Sequence, residues 1–330
     1  MNKRYDVLGV GIAAVDDLLY VADYPPIDCK IPVCASTRQG GGPACTAMAA
    51  IGSLGGRAAF VARFGNNALS QFIELALKQR GVDISHFVHD AAGGPYHSII
   101  VVDGAGHRNV FFDSVLYRGV GPDDLSNNLI QSATLVLLDH IAEPSLIAVA
   151  DKVRGLGVPI LGDIEGCTEF AAGLAARMDY LVVPRAFATW ISGEPEPHNS
   201  CAFLARTQRR ATVVTIGSGG CYFSTGPDPV VRYVPAFKVD AFDTNGCGDT
   251  FHGAFGLAVA RCLDVEDAIS FASAAAALKA VAGTGRRRGW EALPTLDEVF
   301  HFLQVMVDEP DRSSLLEKLK NLRDPALLPK

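Results

Sequence analysis

The amino-acid sequence predicts an α/β protein in which helices cover both faces of a mostly parallel sheet. Short apolar runs alternate along the chain with longer helix-compatible stretches, which is the order of elements in such folds. The runs do not alternate polar with apolar residues, as expected for strands that are buried on both faces. A three-layer α/β/α arrangement is therefore expected. The six runs are YDVLGVG, RAAFVARFG, ATLVLLD, VPILGDI, DYLVVP and ATVVTIG.

The composition is that of an ordinary globular protein. The chain has 330 residues, of which 49% are hydrophobic and 20% charged, and its net charge is −7. This acidic balance argues against nucleic acid as a partner. No linker-like or repetitive segment interrupts the pattern, so residues 1–330 are expected to form one domain. Within it, residues 309–330 should form a C-terminal extension with one amphipathic helix.

Several features favour a cytoplasmic protein. The eight cysteines include no C-x-x-C pair and are interpreted as reduced thiols. The N-terminus passes directly into a strand-like run and lacks the apolar stretch of a signal peptide. The longest apolar segment begins at Phe271, contains Lys279 and is too short to cross a bilayer. We expect it to be a buried helix, and we expect no association with membranes.

Two segments depart from the α/β rhythm. Residues 17–39 and 95–113 contain alternating strands, and the second segment has a turn at residues 103–106. We expect them to form a small antiparallel sheet that projects from the main sheet as a lid.

The strongest chemical signal is the glycine-rich sequence DTNGCGD, which precedes an apolar helix expected to begin at about Cys247. Free backbone amides at a helix start bind anions. The amides in question belong to Gly246, Cys247, Gly248 and Asp249. A carboxylate beside a bound phosphate is electrostatically unfavourable, so its presence there indicates a chemical role. Asp249 could serve as general base for a hydroxyl group. From these residues alone, a simple helix cap is an equal alternative.

A second glycine pattern points elsewhere. Gly9, Gly11 and Ala14 have the spacing G-x-G-x-x-A of dinucleotide-binding folds. In those folds the pattern opens a helix, whereas here a strand-like stretch and two prolines follow. A dehydrogenase is therefore disfavoured.

The sequence DTNGCGD resembles the D-T-x-G-A-G-D signature of the ribokinase (PfkB) family, with Cys247 in place of alanine. Residues 38–83 are similar to the family's other signature, in which a Gly-Gly turn precedes a helix. The stretches GGGPA and PAFKVD resemble ketohexokinase-like and sulfofructose-kinase-like members most. The resemblance, over roughly residues 5–305, implies a ribokinase-like fold. It also implies an ATP-dependent and Mg²⁺-dependent sugar kinase, with Asp249 activating a primary hydroxyl and a ketose as the expected acceptor.

The resemblance also assigns sugar-binding positions. Asp16 matches the residue that accepts sugar hydroxyls, and Gly41 and Gly42 match glycines that let the sugar lie against the backbone. Thr46 stands where an asparagine is common, so the hydrogen bonds to the acceptor should differ. Lys30 matches a lysine of sulfofructose kinases, but no second arginine for a sulfonate is evident. A sulfonated substrate is therefore not favoured.

Further matches concern phosphates and cations. Arg108 matches an arginine that reaches the transferring phosphate, although on residues alone a solvated strand arginine is an equal alternative. Asp243 and Asn245 match the start of a monovalent-cation site for K⁺, with a capped turn as the alternative. The family's N-x-x-E element for hydrated magnesium should follow DYLVVP, where the chain instead reads PRAFA. The surroundings of the metal should therefore differ.

The nucleotide contact of the family, V-T-x-G-x-x-G, resembles residues 213–223 of the chain, VVTIGSGGCYF. The residues expected near the ATP phosphates or ribose are Thr215, Gly217, Ser218, Gly219 and Gly220.

Other functions within the same resemblance stay open. The chain could be a nucleoside kinase or a sugar-acid kinase, or a sugar-binding relative that has lost catalysis. The presence of Asp249 favours catalysis. An apolar outer face of the lid would favour a homodimer.

Overall fold

The structure is a computed structural model, and it describes residues 3–105, 107–140, 145–207, 209–226, 230–281, 287–306, 311–320 and 322. The strands are β1 Tyr5–Val10, β2 Ala14–Tyr20, β3 Ala35–Gly41, β4 Ala58–Val61, β5 Arg63–Phe64, β6 Val88–His89, β7 Tyr96–Val102, β8 Arg108–Asp113, β9 Ala133–Asp139, β10 Ile160–Asp163, β11 Tyr180–Pro184, β12 Ala211–Thr215, β13 Cys221–Thr225 and β14 Arg232–Val234. The helices are α1 Pro43–Ser53, α2 Ala68–Lys78, α3 Asn127–Ser132, α4 Ser145–Gly155, α5 Glu169–Ala175, α6 Arg185–Ser192, α7 Pro197–Ala205, α8 Cys247–Ala260, α9 Val265–Val281, α10 Leu296–Met306 and α11 Asp311–Lys320.

The main sheet has eight strands in the order β14-β13-β12-β11-β10-β9-β1-β4. The strands from β12 to β4 are parallel, and β13 and β14 add an antiparallel edge. Each of the six apolar runs contains a strand of this sheet, which confirms the predicted fold class. The strand order reverses between β1 and β9, because the chain goes from β1 to β4 on one side and later from β9 to β10 on the other. Ligands of such sheets bind at the carboxyl ends of the strands near this point.

Buried side chains form one core on each face of the main sheet, because successive residues of a strand point to opposite faces. In β9, Leu135 and Leu137 pack towards α1, α8 and α9, whereas Val136 and Leu138 pack towards α4 and α5. This arrangement gives the expected three layers.

The lid is a separate sheet of four strands in the order β3-β2-β7-β8. Its two hairpins are antiparallel as predicted, and they meet along the parallel pair β2 and β7. The register separates two faces: the inner lid face carries Asp16, Ser98, Arg108 and Phe112, and the outer lid face carries Asp17, Leu19, Ile99 and Phe111. Residue 106 of the predicted turn lies outside the described residues.

Three further expectations can be compared with the fold. The residues after Gly9 and Gly11 continue into β2 and not into the helix that a dinucleotide-binding motif opens, as predicted. The segment from Phe271 lies in α9, and Lys279 is buried there. Of the predicted C-terminal extension, α11 forms a helix, while residues 309, 310, 321 and 323–330 lie outside the described residues. None of the helices that the structure describes combines the length and apolarity needed to cross a bilayer.

Candidate active site

The glycine-rich turn leads directly into α8. Gly246 has φ 73°, a left-handed conformation that glycine adopts without strain, and the helix begins at Cys247 as predicted. Asp243 Oδ1 accepts a hydrogen bond of 2.9 Å from the backbone amide of Asn245. The capped turn that was one of the two interpretations of Asp243 and Asn245 is therefore present.

Three of the four amides expected at this helix start are available to an anion. The amides of Gly246, Gly248 and Asp249 donate to no acceptor among the described residues. The amide of Cys247 instead donates to the carbonyl oxygen of Thr244 at 3.3 Å, because the turn closes on itself at that point. The expectation that Cys247 contributes its amide is therefore wrong for this structure.

Asp249 lies in the first turn of α8 and is partly exposed. An ideal Cβ on Gly246 would be 3.9 Å from Asp249 Oδ2, so the carboxyl group lies against the glycine-rich turn. Desolvation by the surrounding protein raises the pKa of Asp249 well above the ordinary carboxyl value, and the charges of Asp163, Glu165 and Asp16 raise it further. A raised pKa suits a base that must accept a proton near neutral pH.

Two of these neighbouring carboxyl groups come from the end of β10. Asp163 is fully buried, and neither of its carboxylate oxygens has a hydrogen-bond partner among the described residues. Its Oδ1 atom lies 3.4 Å from Nε2 of His252, whose Nδ1 lies 2.8 Å from the carbonyl oxygen of Gly248. Burial raises the pKa of Asp163 well above its usual range, and the charges of Glu165 and Asp139 add to that shift. His252 thus connects the end of β10 with the first turn of α8.

Asp139, at the end of β9, has a structural role. Its Oδ2 atom accepts hydrogen bonds from the amides of Ile12 at 2.7 Å and Ala44 at 3.3 Å. A side chain at Gly11 would collide with this carboxylate, since an ideal Cβ would be 2.4 Å from Oδ2. Asp139 therefore fastens the start of α1 to the end of β1.

Asp16 is the carboxylate of the inner lid face. It lies against Gly41, where an ideal Cβ would be only 2.1 Å from Asp16 Oδ2, so any residue but glycine would displace it. Burial raises the pKa of Asp16, and hydrogen bonds with Ser98 and Gln39 oppose that shift. Because the charge of Asp16 acts on Asp249, the two carboxyl groups belong to one site.

Thr46 lies in α1 close to both Gly42 and the glycine-rich turn. Its amide donates to the carbonyl oxygen of Gly42 at 2.8 Å, and an ideal Cβ on Gly246 would be 3.5 Å from its Cγ2 atom. The hydroxyl oxygen already accepts a hydrogen bond of 3.1 Å from Nε1 of Trp290. Thr46 therefore keeps its own hydroxyl hydrogen for a ligand, unlike an asparagine, which offers two amide hydrogens.

Arg108 brings positive charge from the lid to the helix start. The residue is exposed on the inner lid face and lines a cleft of about 580 Å³ together with Glu165, Cys247 and Gly248. Burial raises the pKa of the Cys247 thiol to about 11, and the charge of Arg108 is among the influences that oppose the shift. Arg108 therefore acts electrostatically on the turn where an anion would bind.

The same cleft contains most of the predicted nucleotide segment. Thr215, Gly217, Ser218 and Gly220 line it, whereas an ideal Cβ on Gly219 would be directed at the side chain of Ile216. Much of the remaining lining is apolar, which suits a flat aromatic base. These apolar residues are Ala236, Phe237, Val239, Phe251, Ala276, Ala277 and Ala280.

Lys30 belongs to the lid segment. It is exposed in the loop between β2 and β3, and its side chain makes no hydrogen bond or ion pair with the described residues. It does not line the cleft, and neither do the predicted sugar-binding residues Asp16, Gly41, Gly42 and Thr46, so its role stays a prediction.

Sequence reasoning missed four residues of the site: Asp163, Glu165, His252 and Lys279. A signal for the first two was present, because GDIEG places carboxylates directly after a buried parallel strand, at the edge where ligands bind. His252 and Lys279 carried no such signal, since a histidine or lysine within a helix is usually on its exposed face.

Comparison with known proteins agrees with the fold. The sequence pattern of "pfkB family carbohydrate kinase" matches residues 10–287. The ATP-dependent ribose-1-phosphate kinase of Halopiger xanaduensis is 28% identical over 306 residues, which are 92% of this chain and 99% of the relative.

Solved structures show the same likeness. A putative ribokinase from Agrobacterium tumefaciens superposes with a TM-score of 0.80 at 29% identity, over 94% of this chain and 98% of the other. A putative ribokinase II from E. coli, in complex with ATP and Mg²⁺, superposes with a TM-score of 0.77 at 17% identity, over 92% of this chain and 99% of the other, which supports the fold alone. The chain belongs to the pfkB family of carbohydrate kinases, enzymes that transfer phosphate to an alcohol group.

Proposed function

We propose that the chain transfers the γ-phosphate of ATP to a primary hydroxyl group of a small sugar, a ketose, with Asp249 as general base. This proposal rests on the position of Asp249. Its carboxyl group lies against a turn with three free amides, and burial together with neighbouring carboxylates raises its pKa. A residue that only capped the helix would not need to be surrounded by other acids.

In the proposed reaction the acceptor lies between Asp16 on the inner lid face and Asp249 on α8. Asp249 takes the proton from the hydroxyl group while its oxygen forms a bond to the γ-phosphorus. The bond from that phosphorus to the bridging oxygen breaks, and ADP leaves with the electron pair. The free amides of Gly246 and Gly248 hold negative charge on the phosphoryl oxygens, and Arg108 offsets that charge from the lid.

Mg²⁺ neutralises the ATP phosphates in such reactions. The residues at the end of β10 fit this ion, because Glu165 lines the cleft and buried Asp163 has two carboxylate oxygens without hydrogen-bond partners among the described residues. They would hold its hydration shell in place of the absent N-x-x-E element. The ion itself would be held mainly by phosphates and water.

The ketose is the first candidate acceptor because GGGPA and PAFKVD resemble the ketohexokinase-like and sulfofructose-kinase-like members. The second candidate is a ribosyl compound such as a nucleoside, favoured by the ribose-1-phosphate kinase relative. A sugar acid is a third candidate of the same family. A sulfonated ketose has less support, since no second arginine for a sulfonate is evident in the sequence.

We also place the enzyme in the cytoplasm, as a homodimer formed through the lid. The outer lid face supports this assembly, because Phe111 is 55% and Ile99 42% exposed on adjacent strands. Pairing of two such faces would remove both side chains from water.

The experiment for the acceptor is a coupled ADP-release assay with Mg-ATP and a panel of acceptors. The panel includes fructose, tagatose, psicose, sulfofructose, ribose, nucleosides and 2-keto-3-deoxygluconate. We expect turnover with one unmodified ketose and none with the Asp249→Asn variant. Turnover only with a ribosyl compound or a sugar acid would replace the ketose by that class. ATP and sugar binding without any turnover would indicate a relative that has lost catalysis.

A further inference from the structure

Lys279 is a buried lysine beside the glycine-rich turn. Its side chain is 1% exposed in α9, and its Nζ atom has no hydrogen-bond partner among the described residues. The nearest charged group is the carboxylate of Asp243, with Nζ 3.8 Å from Oδ2. That oxygen also lacks a hydrogen-bond partner in the described part of the chain. Buried lysines are rare unless they are paired, so these two groups are each other's charge partners.

Asp243 opens the turn that leads to Asp249, and α9 holds it in place. The amides of Phe242 and Asp243 both donate to the carbonyl oxygen of Ala280, at 3.0 and 3.1 Å. Ala280 directly follows Lys279, so the same part of α9 supplies the carbonyl and the positive charge. An ideal Cβ on Gly246 would be 3.9 Å from Cε of Lys279. The lysine side chain therefore runs along the turn that would bind phosphate.

The oxygens of Asp243 and Ala280, which lie in the described part of the chain, do not fit a separate monovalent cation, although the family resemblance places the start of such a site at Asp243 and Asn245. A K⁺ ion needs several carboxylate or carbonyl oxygens free of other donors. Asp243 Oδ1 accepts from Asn245, and the carbonyl oxygen of Ala280 accepts from two amides. The remaining oxygen, Oδ2, faces the positive charge of Lys279, which would repel a second cation.

We propose that Lys279 is a tethered cation that takes the place of K⁺ at this turn, so that the kinase does not depend on monovalent cations. The Lys279 side chain neutralises Asp243 and adds positive potential where phosphate binds. The effect on Cys247 agrees with this role: burial raises the pKa of that thiol to about 11, and the charge of Lys279 opposes the shift. The inference rests on the kinase activity of the family and not on the proposed acceptor or base.

Thermal unfolding tests the proposal without any acceptor. The wild type, Lys279→Met and the double variant Lys279→Met/Asp243→Asn are unfolded in KCl and in choline chloride at equal ionic strength. We expect the wild type to melt at the same temperature in both salts. Lys279→Met leaves the Asp243 carboxylate unpaired, so K⁺ should raise the Tm of this variant by more than about 2 °C relative to choline.

Two variants serve as controls. The double variant has no buried charge to pair and should not respond to K⁺. Lys78→Met, which removes an exposed lysine at the end of α2, is the matched control and should behave as the wild type.

ATP titration by calorimetry in the same two salts gives a second readout. Lys279→Met should bind ATP about threefold to tenfold more weakly in choline, because positive potential is lost at the helix start, and K⁺ should restore part of that loss. A K⁺-specific rise in the Tm of the wild type would overturn the proposal, even if Lys279→Met did not fold. So would a Lys279→Met protein that folds but ignores K⁺. Failure to find a ketose substrate would leave both measurements unaffected.

Discussion

A carboxylate can serve as a base only when it is deprotonated, so the surroundings of Asp249 determine the pH at which the enzyme works. Desolvation, and then the charges of Asp163 and Glu165, raise its pKa. Protonation of Asp249 should therefore stop turnover at a higher pH than for an ordinary carboxyl group, which titrates near pH 4. The rate should fall as the pH decreases through this raised pKa.

Glu165→Gln tests this electrostatic coupling. Removal of a nearby negative charge lowers the pKa of Asp249, so the acid limb of the kcat/KM profile should move to lower pH. The measurement is a pH profile of ADP release for both proteins. Glu169→Gln removes the same charge from an exposed position at the start of α5 and should leave the limb unchanged. A limb that stays in place in Glu165→Gln would contradict the coupling.

The residues of the site differ in how far sequence could reveal them. Asp249 and the free amides of the glycine-rich turn lie in one short segment. Their spacing therefore predicts both the helix start and a role for the carboxylate. Glu165 and Lys279 reach the turn from other elements, whereas His252 lies in α8 and contacts Asp163 of β10. The roles of these residues depend on packing that no local pattern encodes. The sequence could not show that the amide of Cys247 is occupied, because its hydrogen bond to Thr244 depends on the backbone torsion angles of the turn.

At the scale of elements, the site depends on the close approach of α1 and α8. An ideal Cβ on Gly253 would be 2.4 Å from the backbone carbonyl oxygen of Ala47, so the two helices touch at this glycine. Because α1 begins after Gly42 and α8 begins after Gly246, this contact fixes the distance between Gly42 and the glycine-rich turn.

Gly253→Ala should therefore destabilise the protein by about 1–3 kcal/mol, since the methyl group forces the helices apart. Gly173→Ala is the matched control within α5, where an ideal Cβ would be 3.5 Å from Cδ1 of Ile147, an ordinary contact. It should stabilise the protein by about 0.5–1 kcal/mol, because glycine is unfavourable inside a helix. Urea unfolding measures both changes. Equal effects of the two substitutions would show that the contact of α1 with α8 is not tight.

The lid shows the limit of element prediction. Alternating residues predicted its hairpins, and the antiparallel pairs β2 with β3 and β7 with β8 confirm them. The parallel pairing of β2 with β7 could not be predicted, because it joins strands that are far apart in the chain. That pairing places Arg108 and Asp16 on one face.

At the scale of the whole molecule, the outer lid face is the surface that favours assembly. Phe111→Asp introduces a charge on β8, the edge strand of that face, and should convert a homodimer into a monomer. Sedimentation equilibrium of both proteins is the measurement. Val305→Asp changes a residue that is 65% exposed in α10, a helix that is not part of the lid. It should leave the assembly intact. A wild type that is already monomeric would contradict assembly through the lid.

The central claim is that Asp249 acts as the base for phosphoryl transfer, and the most direct test compares Asp249→Asn with the wild type on the acceptor that the panel identifies. Turnover and the affinity for ATP are measured in parallel. We predict that kcat falls by about a hundredfold or more, the usual loss for a general base, while ATP binding stays nearly unchanged because the free amides remain. Unchanged turnover in Asp249→Asn would contradict the account.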